Sequence, residues 1–323
     1  MAVEISNIEE FQAIENDSSG DYVIINDIDA NDTFNWNSGL GFSPMFNTSN
    51  PFNGTVDGQG YCIDGLYINN TESWYRAPFN YTGSISILKN INFTNLNITS
   101  GNYVGGVVAY LRGTIESCSV SGTLNGIGYV GGISGFNYGG TIKKCKASAN
   151  LTTTGSNTGV MVGYERDATL ENSYADGSIN GDYAVGGLVG YLYGGTISNC
   201  YSCGSVAGND LVGGLVGRLN SSTVTSSYWD KESSGVTISA VGTGKTTSEM
   251  QDQSTFIGWD FTNIWHMDDY PALQWEPVPS TPSFPCKVWD GSQWVEPSSV
   301  KVWDGSAWVE VSAIKYWNGT AWQ

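Results

Sequence analysis

An internal period near 27 residues constrains this chain more than any other feature. The segment GGTISNCYSCGSVAGNDLVGGLVG (194–217) recurs upstream as GGTIKKCKASA (139–149), ATLENSYADGSINGDYAVGGLVG (168–190) and RGTIESCSVSGTLNGIGYVGGISG (112–135). Thr114, Thr141, Thr169, Thr196 and Thr223 fall 27, 28, 27 and 27 residues apart, and a degenerate copy runs from Ser86 through Val108. Repetition at this interval means that each copy is one unit that buries its apolar face only against its neighbours.

Aligned copies give columns. One is always apolar (Leu88, Ile115, Ile142, Leu170, Ile197, Val224), and three residues later come Ile91, Cys118, Cys145, Ser173, Cys200 and Ser227. From there small and apolar residues alternate with period two, through Leu124, Leu151, Ile179 and Val206, which is a strand with one buried face. The odd offset between the two inward columns demands a corner, at Asn90, Asn172 and Asn199, where Asn is expected to stack on Asn. A second strand, Val-Gly-Gly-Leu-Val-Gly, carries the inward column Val107, Ile133, Met161, Leu188 and Leu215. Ordering each backbone residue costs about 1–2 kcal/mol, whereas a buried aliphatic side chain returns only about 1.5–3 kcal/mol. One rung cannot stand alone. The expected fold is all-β, a parallel β-helix (solenoid) of rungs near 27 residues with capped ends.

These residues resemble the GLUG repeat, through GGLVG at 186–190 and 213–217 and TISNCY at 196–201. SGDYVIINDIDA (19–30), FNGTVDGQGYCIDGLYI (52–68) and the Trp-rich stretch to residue 275 look like the lead-in and terminator of such solenoids. The resemblance implies a parallel β-helix in an extracellular or virion setting, with a repeat not associated with catalysis. Val160 in GVMVGY replaces one glycine, and Arg218 breaks an aromatic column; neither threatens the fold.

The layout follows. Residues 1–83 are read as a helical cap with the first rungs, 84–232 as the repeat solenoid, 233–275 as a Trp-rich cap and 276–286 as a Pro-rich linker. Ser6-Asn7-Ile8-Glu9 reads as a capping box, with Ile8, Phe11 and Ile14 on one helix face covering the open end. The stretch 256–275 is expected to cover the other end. Residues 287–323 hold three copies of a W-D/N-G-x-x-W hairpin pattern, with Trp289, Trp303, Trp317 and Trp294, Trp308, Trp322 each spaced 14 apart. So short a segment cannot bury six tryptophans by itself, so self-association, as a homotrimer, is expected. The pattern resembles short tails on phage and archaeal-virus structural proteins.

Acids outnumber bases 31 to 13 and the net charge is -18, which excludes nucleic acid and anionic membranes as main partners. Gly, Asn, Ser, Thr and Tyr dominate, as in extracellular all-β proteins. No apolar run is long enough for membrane insertion, so the chain reads as soluble. The start MAVEISNIEEFQ lacks a secretory signal, which fits a mature chain, a trimmed form, or release by lysis with a virus particle.

Little in the chain suggests catalysis. His266 is the only histidine, and Cys200 and Cys203 lie on opposite faces of their strand, so no cofactor and no strong metal site is expected. Cys118 and Cys145 are expected to be free thiols. Asp27, Asp29 and Asp32 form a weak calcium candidate beside the ordinary reading as turn residues. Glu116 and Glu171 sit two rungs apart with Lys143 between, a charge ladder rather than a carboxylate pair. Two outward aromatic columns remain: Tyr110, Phe136, Tyr164, Tyr191, and Tyr174, Tyr201, Tyr228. Sugars stack on such surfaces; the alternative is that the rings shield rung edges or line a subunit interface. The expected function is a non-enzymatic fibre or spike subunit touching a host glycan or protein and other virion proteins. A cell-surface adhesin or sheath protein comes second, and a polysaccharide depolymerase third.

Overall fold

The computed structural model describes residues 2–276 apart from Ser73, together with the backbone of the strands Val288–Trp289, Trp294–Val295, Val300–Trp303 and Trp308–Val311. It divides into two units, Met1–Pro271 and Ala272–Gln323. The first is a parallel β-solenoid with four sheets, two of which begin only at Tyr75–Arg76 and Phe79–Tyr81.

A nine-stranded sheet begins at Val3–Ile5 and carries the repeated Thr-apolar strands to Thr223–Thr225. Its register places Ile115 on Ile142, Ile142 on Leu170 and Leu170 on Ile197, all parallel. A twelve-stranded sheet follows, in which Ser119–Gly126 lies on Lys146–Thr153 over eight consecutive pairs. Val-Gly-Gly-Leu-Val-Gly, expected as one strand, is split between two six-stranded sheets. Tyr183–Gly186 belongs to one and Val189–Tyr193 to the next. The glycines turn the chain there because nothing larger fits: a Cβ on Gly186 would lie 2.0 Å from the Val189 carbonyl oxygen, and one on Gly187 2.1 Å from that of Gly214.

The corner between the first two sheets lies where the sequence places it. Asn90, Asn172 and Asn199 adopt left-handed backbone at φ 55°, 47° and 52°, and Asn199 Nδ2 donates to Asn172 Oδ1 at 3.3 Å. Ser117, Lys144 and Ser226 hold the same conformation in the intervening and last rungs. The inward columns are buried throughout, including Ile115, Cys145, Leu170, Met161 and Leu188 at zero exposure. Cys118, Cys145 and Cys200 are free thiols with no disulfide between rungs.

At the N-terminal end a six-residue helix, Ile8–Ala13, drives Phe11 against Phe42, Phe79 and Phe93. Its cap is one residue later than expected. Asn7 Oδ1 accepts from the Glu10 amide, and the Glu10 carboxylate accepts from Ser6, because Ser6 directly follows the first strand, whose last residue, Ile5, is committed to the sheet. At the other end the expectation for 256–275 needs correction. The last rung is covered by Trp229, with Val236 and Val241 packed on the same core, and Thr243–Lys245 extends the twelve-stranded sheet. Phe256, Trp259 and Trp265 lie instead on the outer face of that sheet, against Tyr201.

In the second unit, two antiparallel strand pairs set Trp289 opposite Trp294 and Trp303 opposite Trp308, the pairing that the sequence pattern implies. The third copy, with Trp317 and Trp322, lies outside the described residues. No described helix is long and apolar enough to cross a membrane.

Candidate functional site

Period-two alternation in Val108–Leu111, Ser134–Tyr138, Val162–Arg166, Val189–Tyr193 and Val216–Asn220 sends every second side chain to the solvent face of one six-stranded sheet. On that face Tyr110, Phe136, Tyr164 and Tyr191 form a column as expected, with Tyr110 edge-on to Phe136 at 78° and the other three stacked. Centroids lie 4.9, 4.8 and 4.8 Å apart, with Phe136, Tyr164 and Tyr191 nearly coplanar at 9° and 2°. Tyr81 extends the ladder below Tyr110 at 4.9 Å, and Arg218 ends it with its guanidinium 4.5 Å from the Tyr191 centroid. What reads in sequence as a break in the column is a cation on the last ring.

A second outward column runs two residues further on: Arg112, Tyr138, Arg166, Tyr193. Arg112 and Arg166 lie over Tyr138 at 5.6 and 5.3 Å, and Arg166 also over Tyr193 at 5.4 Å. A third stack, Tyr75, Tyr103 and Tyr129, with spacings of 4.5 Å, borders the face on the adjoining sheet. The rings are mostly half-buried and the three arginines exposed. Burial pushes the Tyr103 phenol up to about 12 and raises Tyr110 and Tyr164 as well, so these three phenols are neutral at ordinary pH.

The electrostatics of the two flanks differ. Lysines on the first two sheets are neutralised by carboxylates: Lys89 with Asp57 at 3.0 Å, Lys143 with Glu116 at 3.2 Å, Lys146 with Asp176 at 3.7 Å. On the aromatic face Arg166 has an exposed neighbour in Asp167 at 3.5 Å, and neither Arg112 nor Arg218 forms an ion pair among the described residues. Behind the face, Glu165 points inward between outward Tyr164 and Arg166. It is fully buried, and Asn137 Nδ2 donates to both its oxygens at 3.1 Å. Burial pushes Glu165 up to about 8 against the lowering effect of that hydrogen bond, so it is mostly protonated at neutral pH.

The other ladder does not offer a ligand surface. Tyr174 and Tyr201 stack at 4.8 Å and 3°, but at 4% and 1% exposure they are covered. Trp265 packs on both, and Tyr201 Oη donates to the Pro271 carbonyl at 2.6 Å. Tyr228 meets Phe256 and Trp259. These tyrosines dock the returning chain; sequence columns show which way a residue points and not what later folds over it.

The aspartates expected as a weak calcium site serve the backbone. Asp27 Oδ1 accepts from the Cys62 amide and Asp29 Oδ1 from the Asn31 amide and side chain. They gather with Asp32 into no cation-holding group among the described residues. Glu116, Lys143 and Glu171 are consecutive in register, as the ladder reading requires. Sequence reasoning missed Tyr75, Tyr81, Tyr103 and Tyr129 because the early rungs lack the repeat wording. It also missed the Arg112 to Tyr193 column, although the tripeptides Tyr-Leu-Arg (110–112), Phe-Asn-Tyr (136–138), Tyr-Glu-Arg (164–166) and Tyr-Leu-Tyr (191–193) carry that signal.

Comparison with known proteins agrees with this architecture. The GLUG motif is matched at residues 100–125, 126–152 and 181–207. Halomucin of Haloquadratum walsbyi is 35% identical over 138 residues, 41% of this chain and 2% of that protein. A Gly-rich membrane protein of Evansella cellulosilytica is 32% identical over 85 residues, 25% of this chain and 10% of that one. The chain therefore spans a small part of the curated relatives it matches. The crystal structure of a candidate immunoglobulin A1 protease from Bacteroides ovatus superposes with a TM-score of 0.67 over 85% of this chain and 93% of the other, at 21% identity, a likeness of fold. This chain therefore carries GLUG motif repeats on a parallel β-solenoid.

Proposed function

We propose that this chain is a non-enzymatic structural and adhesive part of a cell-surface or extracellular protein, and that its open aromatic face holds glycan. The supporting observation is the ladder of half-buried Tyr110, Tyr164 and Tyr191 around the more deeply buried Phe136, spaced by the sheet beneath it. A pre-ordered row of rings offers a sugar chain apolar area at little entropic cost. The relatives support the setting: one is named halomucin and the other a Gly-rich membrane protein. The same face would serve a fibre on a virus particle, but the relatives favour the cell envelope. Self-association as a homotrimer through the C-terminal hairpin tryptophans belongs to the same reading.

Two measurements test it. Protease shaving or antibody labelling of intact cells is expected to reach the chain, whereas recovery from purified virus particles would move it to a virion. Polysaccharide binding by the full chain is expected to fall about fivefold or more in Tyr164→Ala, for the loss of one stacked ring, with no reducing sugar released. Release of reducing ends would instead make it a depolymerase.

A further inference from the structure

The arginines on this face are not scattered. The chain has four, at 76, 112, 166 and 218, and three of them stand on the outer side of one sheet. Leu111 pairs with Asn137, which brings the next residue, Arg112, to the Tyr138 ring; Arg166 lies opposite Tyr138 on the following strand, and Tyr191 lies opposite Arg218. Counting strands from Val108–Leu111, the arginines occupy the first, third and fifth, and the second and fourth present rings alone. Adjacent strands lie about 4.8 Å apart, so Arg112 and Arg166, two strands apart in one column, stand about 9.6 Å apart along the solenoid, and Arg218, two strands further on, stands in the neighbouring column, two residues across. A sugar in an extended β-linked polymer advances by nearly one such strand spacing.

We infer that this face binds an extended acidic polysaccharide bearing its negative charge on alternate sugars, successive acids meeting Arg112 and Arg166, with Arg218 one column across, while the neutral sugar between lies on the ring ladder. This rests on the glycan reading and specifies its chemistry. The charge placement supports it: a chain of net charge -18 repels a polyanion nearly everywhere. Its solenoid lysines are closed off by carboxylates, whereas Arg112 and Arg218 keep their guanidinium groups free of ion pairs among the described residues. A guanidinium already seated on an aromatic ring is held in place with its edge available for a carboxylate or sulfate.

The test uses the full chain with hyaluronan and unsulfated chondroitin, both acidic on alternate sugars, and with carboxyl-reduced hyaluronan and polygalacturonate, which is acidic on every sugar. The alternating polymers are expected to bind, and more weakly as salt rises. Carboxyl-reduced hyaluronan is expected to bind at least about tenfold more weakly, and Arg112→Ala and Arg166→Ala each to lose about fivefold. Lys143→Gln, on another flank, is the control for general charge. Equal binding of the reduced polymer, or tighter binding of polygalacturonate, overturns the alternating-acid inference and leaves the glycan reading standing. No binding to any of the four overturns both, and self-association abolished by Tyr164→Ala would then assign the face to a second copy of the chain.

Discussion

At the residue scale, stacking forces side chains into roles their chemistry alone would not choose. Asn at the first corner was legible because Asn tolerates left-handed backbone; Lys144 and Ser117 at the same corner were not, since neither marks a turn. Their conformation is imposed by the rungs above and below. Glu165 is the sharper case: sequence shows a glutamate beside Tyr164 and Arg166, and only the register reveals that it faces the core. Its carboxyl is raised from 4.5 to about 8, so between those values the folded chain keeps a proton that the unfolded chain releases. Stability is then fully present below pH 4.5 and falls as pH rises through 8, by up to about 1.4 kcal/mol per pH unit. Asp57 and Asp230 are lowered and stay ionised across that window, so they do not mask the effect. Glu165→Gln should match the parent in urea midpoint at pH 5 and exceed it at pH 9 by a shift worth a few kcal/mol. Parallel pH profiles for the two proteins would show that Glu165 does not titrate from a buried site.

At the scale of elements, strands were legible and coverings were not. Period-two columns fix which way each strand faces, so the inward set and the Tyr110 ladder follow from sequence. Whether an outward face stays open depends on chain arriving from far along the sequence, and Phe256, Trp259 and Trp265 closing over Tyr174 and Tyr201 left no local signal there. The rings at 256–265 are therefore a flank seal rather than a plug. Trp259, at 7% exposure, donates its indole N–H to the Ser226 carbonyl at 3.0 Å. Trp259→Ala should cost about 3–5 kcal/mol of that docking. Hydrogen exchange should then accelerate in 256–270 and at the Tyr174 and Tyr201 strands, while Thr141–Lys143 stays protected. Loss of protection throughout the solenoid would mean that the seal also closes the core.

For the whole first unit, the roughly 27-residue period of the repeats is the length of one coil, and every long-range pairing among the repeats follows from it. The ends depart from the repeat because a coil with a neighbour on one side only must find other cover, supplied by Phe11 at one end and Trp229 at the other. Removing a complete coil should therefore be tolerated, while removing part of one should not. Deleting residues 169–195 joins Ala168 to Thr196, whose native register partner is Thr169. Cooperative thermal unfolding of this deletion, compared with deletion of 169–181, which shifts every later column out of line, is the most direct measurement. The stacked-coil account predicts that the full-coil deletion retains a single sharp transition and the β circular dichroism of the parent per residue, and that the partial deletion loses both. Equal damage from the two deletions would contradict it.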